Sequence, residues 1–183
     1  MNLKQHFTTK RLVLMALFVA LSYVVSFLEF PIFPVTPYFK LDFANVFIML
    51  TGFLLGPVEG VLVCALKELL SVIDSSSGGV GEIANFLMTS AFILFPAIVY
   101  RMKKGFKTVA TTLVAACLIG TGVALFVNRF IIFPLYMGAA AQTVFYEVFW
   151  YALAFNLIKT LSISLITVLL YKRLSIFLKK KHI

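Results

Sequence analysis

Strongly polar side chains are scarce in the apolar segments of this sequence, and the few that occur there are its candidates for chemistry. The set consists of Asn45, Lys67, Glu68, Asn85, Thr89, Asn128, Asn156 and Lys159. Polar or ionisable groups inside such segments are costly and mark functional sites by default. An amide presents a donor beside an acceptor, and an ammonium donates to carbonyl oxygens. This chemistry suits hydrogen bonding to a neutral, planar heterocycle.

Asn156 and Lys159 form the most informative pair in this set. They are three residues apart, so in a helix they share one face. Together they offer one amide and one ammonium to the same ligand edge. The structural alternative is that Lys159 forms an ion pair with Glu68 or Glu147, which would make it a link between helices.

The other polar residues carry open alternatives. Asn45 and Thr89 suit hydrogen bonds between helices as well as they suit ligand contacts. Lys67 and Glu68 are adjacent, so we expect their side chains to point in different directions, one toward a cavity and the other toward a partner elsewhere. The sequence does not decide which of the two faces the cavity.

The motifs for ATP hydrolysis by a P-loop, for metal hydrolysis and for serine catalysis are missing. The sequence has no G-x-x-x-x-G-K-[ST], H-E-x-x-H or G-x-S-x-G motif, and its histidines, His6 and His182, lie near the ends. Cys64 and Cys117 lie in apolar runs, where we expect small buried thiols with neither a disulfide nor a metal. We expect no catalytic residues, no metal and no cofactor. An intramembrane enzyme using Lys67 or Glu68 is the rival class, and it predicts turnover by the chain alone.

Composition places the chain in a membrane. Of its 183 residues 62% are hydrophobic and 13% are charged, whereas a soluble domain carries about 25% charged residues. Hydrocarbon admits only helices or closed barrels, and the long unbroken apolar runs lack the alternation of barrel strands. The sequence therefore predicts an all-α integral membrane protein in a lipid bilayer.

Charge, proline and glycine divide the chain into six predicted transmembrane helices in a single domain over residues 1–183. The spans are 11–28, 43–56, 58–73, 83–101, 108–130 and 149–171. The first is predicted to be an uncleaved span. The second and third are short for a hydrocarbon core of about 30 Å. Between the first two, Glu29 to Asp42 contains three prolines, so we expect a structured loop there. No motif is evident in residues 137–149.

Basic residues predict the orientation. Twelve of the 16 lysines and arginines flank the spans on one side, before the first, between the fourth and fifth, and after the sixth. The positive-inside rule then places both termini in the cytoplasm. Because this charge follows the membrane topology, nucleic acid is not an expected partner. The polar residues fall in the outer half, which favours a pocket open to the exterior over a channel or a self-contained carrier.

The outer loop and the first predicted span each add one further feature. The outer loop mixes prolines with Phe30, Phe33, Tyr38, Phe39 and Phe43, and it suits either a lid that stacks on a flat ligand or an interfacial aromatic belt. In the first span, Ala16 and Ala20 form a small-xxx-small pair that lets another helix approach closely.

Several segments resemble the riboflavin-specific S component of energy-coupling factor transporters. Residues 30–34 (FPIFP) and 37–43 (PYFKLDF) are similar to its first external loop, and residues 52–60 (GFLLGPVEG) to the turn between its second and third helices. Residues 156–159 (NLIK) and 170–174 (LYKRL) resemble its last helix, and Ala16-x-x-x-Ala20 its docking motif. The likeness covers the whole chain in the right order.

The resemblance implies a subunit that binds riboflavin from outside and has no enzyme activity. It implies a membrane coupling subunit and two ATPase subunits as partners, with docking through Ala16 and Ala20. It also implies that the ligand is held by the segment around Leu41 and Asp42, including Phe39, and by Asn128, Asn156 and Lys159, with Asn45 and Asn85 as further candidates. An S component for thiamine, biotin or a folate is the alternative within this class.

Overall fold

The fold is built almost entirely from helices. The computed structural model describes residues 8–75 and 77–180, with side chains up to residue 173. In these residues the helices are α1 (Thr9–Ser26), α2 (Ala44–Leu54), α3 (Pro57–Ser71), α4 (Val80–Met102), α5 (Phe106–Val127), α6 (Phe133–Met137) and α7 (Ala141–Lys180). The only strands in the same residues are β1 (Phe30–Pro31) and β2 (Lys40–Leu41), which pair antiparallel. The all-α class is thereby confirmed.

Each predicted span coincides with a helix. Three helical stretches are long and apolar enough to cross a membrane: Thr9–Ser26, Val80–Met102 and the succession of helices over Phe106–Arg173. Helices α2 and α3 have 11 and 15 residues, and so are short, as predicted. That six segments cross the membrane, and that both termini are cytoplasmic, remain predictions.

Glycines let α2, α3 and α4 approach closely. A Cβ atom on Gly60 would lie 3.1 Å from the Cα atom of Gly52, and one on Gly52 would lie 3.2 Å from the Cβ atom of Ala97. Between them, Gly56 has a φ of 138°, a conformation that only glycine adopts readily. Pro57 then begins α3, where its missing N–H costs nothing. The sequence GFLLGPVEG thus produces a tight hairpin of two short helices.

The boundary predicted for the last span is wrong. The helix that was predicted to begin at residue 149 begins at Ala141, directly after a 3₁₀ turn over Gly138–Ala140. Gly138 has a positive φ of 54°, which ends α6. No proline or glycine follows it until the end of the chain, so nothing interrupts α7.

The connection between α5 and α6 is a π-helical turn, Asn128–Ile132. Pro134 has no N–H and cannot form the α-type hydrogen bond to residue 130. The helix therefore widens locally into a π turn and does not end. Such π turns frequently occur at functional sites. Asn128, one of the predicted ligand residues, is the first residue of this turn.

Two large apolar clusters stabilise the fold. The larger joins helices α1 to α5 with α7, and it includes both cysteines, Cys64 and Cys117, which are buried and not disulfide-bonded, as predicted. The second packs the outer loop, through Phe39 and Leu41, against Phe133 of α6 and Phe155 of α7. The loop from Glu29 to Asp42 is therefore structured, held by the β1–β2 pair and by this cluster.

Candidate functional site

Asn85 on α4 is the centre of a partly buried group of hydrogen bonds. Its Oδ1 atom accepts from Lys159 Nζ at 3.1 Å, from Thr89 Oγ1 at 3.3 Å and from Asn45 Nδ2 at 3.4 Å. Its Nδ2 atom donates to Glu68 Oε1. Asn45 also donates to Thr89 Oγ1 at 2.9 Å. One amide therefore connects side chains from α2, α3, α4 and α7.

Lys159 forms an ion pair with Asp42. The distance between Lys159 Nζ and Asp42 Oδ2 is 3.0 Å, and the side chains are 15% and 8% exposed. The alternative partners predicted for Lys159, Glu68 and Glu147, are wrong. Asp42 lies closer because its second oxygen, Oδ1, accepts from the Ala44 N–H at 2.9 Å at the start of α2, which holds the carboxylate facing the bundle.

The prediction that Lys67 and Glu68 point in different directions is also wrong. Lys67 Nζ lies 3.1 Å from Glu68 Oε1, and both side chains are about 5% exposed. An isolated charge in this apolar interior would be costly, and the flexible lysine stem lets its ammonium reach the neighbouring carboxylate. The pair joins the same group of hydrogen bonds through the Glu68–Asn85 contact.

We call this connected set the polar network; it consists of Asp42, Asn45, Lys67, Glu68, Asn85, Thr89 and Lys159. Its formal charges are two cations and two anions. Each charge has an opposite partner at hydrogen-bond distance, which is the condition for burying charges in a helix bundle. The sequence predicted most of its members, and the structure brings them together.

Asn156 and Asn128 lie outside this network. Asn156 is buried, and its Nδ2 atom donates to the Ala152 carbonyl one turn back on α7, at 2.8 Å. Asn128 is buried at the start of the π turn, and no hydrogen bond joins its side chain to another residue within 8–75 and 77–173. The predicted roles of both residues as ligand contacts are not tested by this geometry.

An aromatic stack borders the network. The rings of Phe39 and Phe155 are stacked, with centroids 5.0 Å apart and an interplanar angle of 14°. Lys159 Nζ lies 6.0 Å from the centroid of Phe155. Phe39 and Leu41 are both buried. The outer loop thus places a flat apolar surface next to an ammonium group.

Phe155 is the residue that sequence analysis missed. It is one of many apolar residues in the last span, so its residue type alone did not single it out. The signal that would have found it is its spacing, since Phe155 is four residues before Lys159 and lies on the same helix face. The aromatic wall is therefore built from both the loop and α7.

Other surface features lie away from the network. Ala16 and Ala20 are exposed on α1. One recess is lined by Arg129, Gln142 and neighbouring residues, and another by Arg11, Arg101 and Lys104 with the α2–α3 turn. Neither recess is lined by a member of the network, and the predicted pocket open to the exterior stays a prediction.

Comparison with known proteins identifies the family. The sequence matches the family described as "ECF transporter, substrate-specific component" over residues 10–171. This match covers both the network and the aromatic stack. The chain belongs to the substrate-specific components of ECF transporters.

Individual relatives agree with this assignment. The chain is 35% identical to "Riboflavin transporter RibU" of Staphylococcus aureus (strain TCH60), over 98% of this chain and 96% of that protein. It is 28% identical to "Riboflavin transporter FmnP" of Bacillus subtilis (strain 168), over 94% and 96%. A solved structure titled "Structure and mechanism of the S component of a bacterial ECF transporter" superposes with a TM-score of 0.81, at 36% identity, covering 93% of this chain and 98% of that chain.

Proposed function

We propose that this chain is the riboflavin-binding S component of an ECF-type uptake transporter. The observation that carries the proposal is the position of the Lys159 ammonium beside the stacked rings of Phe39 and Phe155. Such a site offers a flat apolar surface and a directed donor at its edge, which is what a flavin ring with carbonyl groups along one edge requires. The names of two relatives, both riboflavin transporters, support the same ligand.

Lys159 has one donor left for a ligand. An ammonium carries three N–H donors, and two of them are directed at Asp42 and Asn85. We assign the third to a carbonyl oxygen on the pyrimidine edge of the isoalloxazine ring. Asn156, one turn back on the same helix, presents its amide to the same edge, and the backbone around Leu41 and Asp42 completes it.

The remaining amides suit the polar tail of the vitamin. Asn45, Asn85 and Asn128 are assigned to the hydroxyl groups of the ribityl chain, since an amide both donates to and accepts from a hydroxyl. The Lys67–Glu68 pair contacts the ligand only through Asn85. In this arrangement the chain binds and releases riboflavin without forming a covalent bond.

The proposal includes a location and partners. The chain lies in the plasma membrane with both termini in the cytoplasm, and it captures riboflavin from outside. A membrane coupling subunit docks on α1 at Ala16 and Ala20, and two ATPase subunits power release to the inside. The exposure of both alanines and the close approach that small residues permit support docking at this face.

Titration of the detergent-purified chain with riboflavin tests the proposal. We expect a saturable loss of free flavin fluorescence that excess thiamine, biotin or folate does not reverse. The Lys40→Ala variant should give the same fluorescence loss as the unmodified chain, because the Lys40 side chain pairs with the exposed Glu29. Absence of fluorescence loss, or its reversal by another vitamin, would contradict the proposed ligand. Flux through the isolated chain in liposomes would instead indicate a self-contained carrier.

A further inference from the structure

The recess at the cytoplasmic end of the bundle has the composition of a binding site for a phosphate-bearing anion. It has a volume of about 220 Å³ and is lined by the α2–α3 turn, by the end of α4 and by the start of α1. Three cationic side chains line it, those of Arg11, Arg101 and Lys104. Two helices, α1 and α4, and the connection after α4 thus direct positive charge at one small volume.

Two of these cations are not neutralised by the described protein. Arg11 donates through Nη1 to the buried carboxylate of Glu59 at 2.7 Å. Its guanidinium carries five N–H donors, so donors remain for a ligand. Within residues 8–75 and 77–173, Arg101 and Lys104 form no hydrogen bond or ion pair. The recess therefore carries an excess of positive charge.

Apolar side chains form part of the remaining lining. Phe53, Leu54, Leu55 and Ala97 line the recess beside the cations, and Tyr100 forms one wall. The hydroxyl group of Tyr100 lies 2.7 Å from that of Tyr171, which fixes the position of this wall. A free inorganic anion has no apolar part to place there, whereas a phospholipid has both a phosphate and a hydrocarbon portion.

We propose that this recess binds the phosphodiester headgroup of an anionic phospholipid from the cytoplasmic leaflet. The inference rests on the orientation given under Proposed function, which puts the end of α4 at the inner surface. Basic pockets between helices on that side are suited to acidic headgroups, and each nearby cation adds to the attraction. The guanidinium groups of Arg11 and Arg101 hold the phosphate, and Lys104 adds a third positive charge.

The test compares two charge-matched double variants in membranes of defined composition. Arg101→Gln/Lys104→Gln removes two cations from the recess. Lys103→Gln/Lys107→Gln removes two nearby cations, one after α4 and one at the start of α5, that do not line it. Each protein is reconstituted in nanodiscs of mixed phosphatidylglycerol and phosphatidylcholine. After extraction in mild detergent, the retained lipid is counted by native mass spectrometry.

We expect phosphatidylglycerol retention to fall about tenfold or more in the recess variant, and less than about twofold in the control variant. Equal loss in both would indicate a general effect of charge and would overturn the site, as would unchanged retention in the recess variant. Complete displacement by millimolar inorganic phosphate would make it a free-anion site. Extra mass from a co-purified acidic protein segment in place of lipid, seen in the same spectra, would overturn the proposal too.

Flavin fluorescence measured on the same samples keeps this inference separate from the proposed function. Both double variants should retain the fluorescence loss of the unmodified chain, because none of the four residues belongs to the polar network. A chain that retains lipid through the recess but binds no flavin would refute the vitamin assignment alone. A chain that binds flavin but shows no recess-dependent lipid would refute the lipid site alone.

Discussion

At the scale of single residues, Lys159 has one observed role and one proposed role, and a simple substitution cannot separate them. It is assigned to the ligand, and it also neutralises the buried carboxylate of Asp42. Removing the ammonium leaves that carboxylate without its cation in an apolar interior. A loss of binding in Lys159→Ala alone would therefore have two explanations.

A pair of variants separates them. Lys159→Met should weaken flavin binding about 10- to 100-fold, because a charged hydrogen bond is lost. It should also destabilise the fold by about 3–5 kcal/mol, since one partner of a buried ion pair remains. Adding Asp42→Asn should restore the thermal unfolding midpoint and leave binding weak, as measured by flavin titration. Recovery of binding in the double variant would show that Lys159 acts only on the fold.

The residue scale also shows what the sequence can predict about a site. Rarity of polar side chains in apolar runs was sufficient to find Asn45, Asn85 and Lys159. It could not give their pairing, because a lysine stem reaches several carboxylates and only the packing of α2 against α7 brings Asp42 closest. Phe155 was not identified for the opposite reason: aromatic residues are common in apolar spans, so its residue type did not distinguish it from its neighbours.

At the scale of elements, the contact between α2 and α3 depends on glycine. Gly60→Ala would place a Cβ atom 3.1 Å from the Gly52 backbone, and the helices would have to separate. We expect a loss of about 1–3 kcal/mol in stability, seen as a lower unfolding midpoint. Gly122→Ala is the control: no atom lies within 4 Å of its added Cβ, so stability should be unchanged or up to about 1 kcal/mol higher. Equal effects of both substitutions would contradict this account.

The exposed face of α1 provides a second prediction at this scale. Ala16→Leu/Ala20→Leu should leave flavin binding intact and prevent assembly with the coupling subunit, because larger side chains keep the backbones apart. Co-purification of the complex measures assembly, and flavin titration of the free subunit is the internal reference. Gly122→Leu, at another exposed small residue, should assemble normally. Normal assembly of the alanine double variant would place the docking surface elsewhere.

The boundary between α2 and α3 was predicted well because glycine and proline set it, whereas the start of α7 was predicted poorly. Gly56 and Pro57 define the α2–α3 turn in the sequence as clearly as in the structure. The start of α7 was misplaced because residues 141–149 mix polar and aromatic side chains, which resembles a loop, although none of them prevents helix formation. With 40 residues, α7 is about 60 Å long and exceeds a hydrocarbon core of about 30 Å.

At the scale of the whole molecule, the orientation can be measured directly. The two native thiols, Cys64 and Cys117, are buried, so they give little background in labelling experiments. Ala139→Cys and Lys103→Cys each place a thiol at an exposed position. On intact cells a membrane-impermeant maleimide should label residue 139, and it should reach residue 103 only after permeabilisation. The reverse pattern would invert the topology and remove the basis of the outward-facing site.

The charges of the polar network, taken together, have a consequence for the whole transport cycle. Asp42 and Glu68 balance Lys67 and Lys159, so the network carries no net formal charge before or after an uncharged vitamin arrives. Loading then moves no charge through the electric field of the membrane, and the paired ions are sheltered from screening by salt. Capture of the vitamin should therefore be insensitive to ionic strength and to membrane voltage.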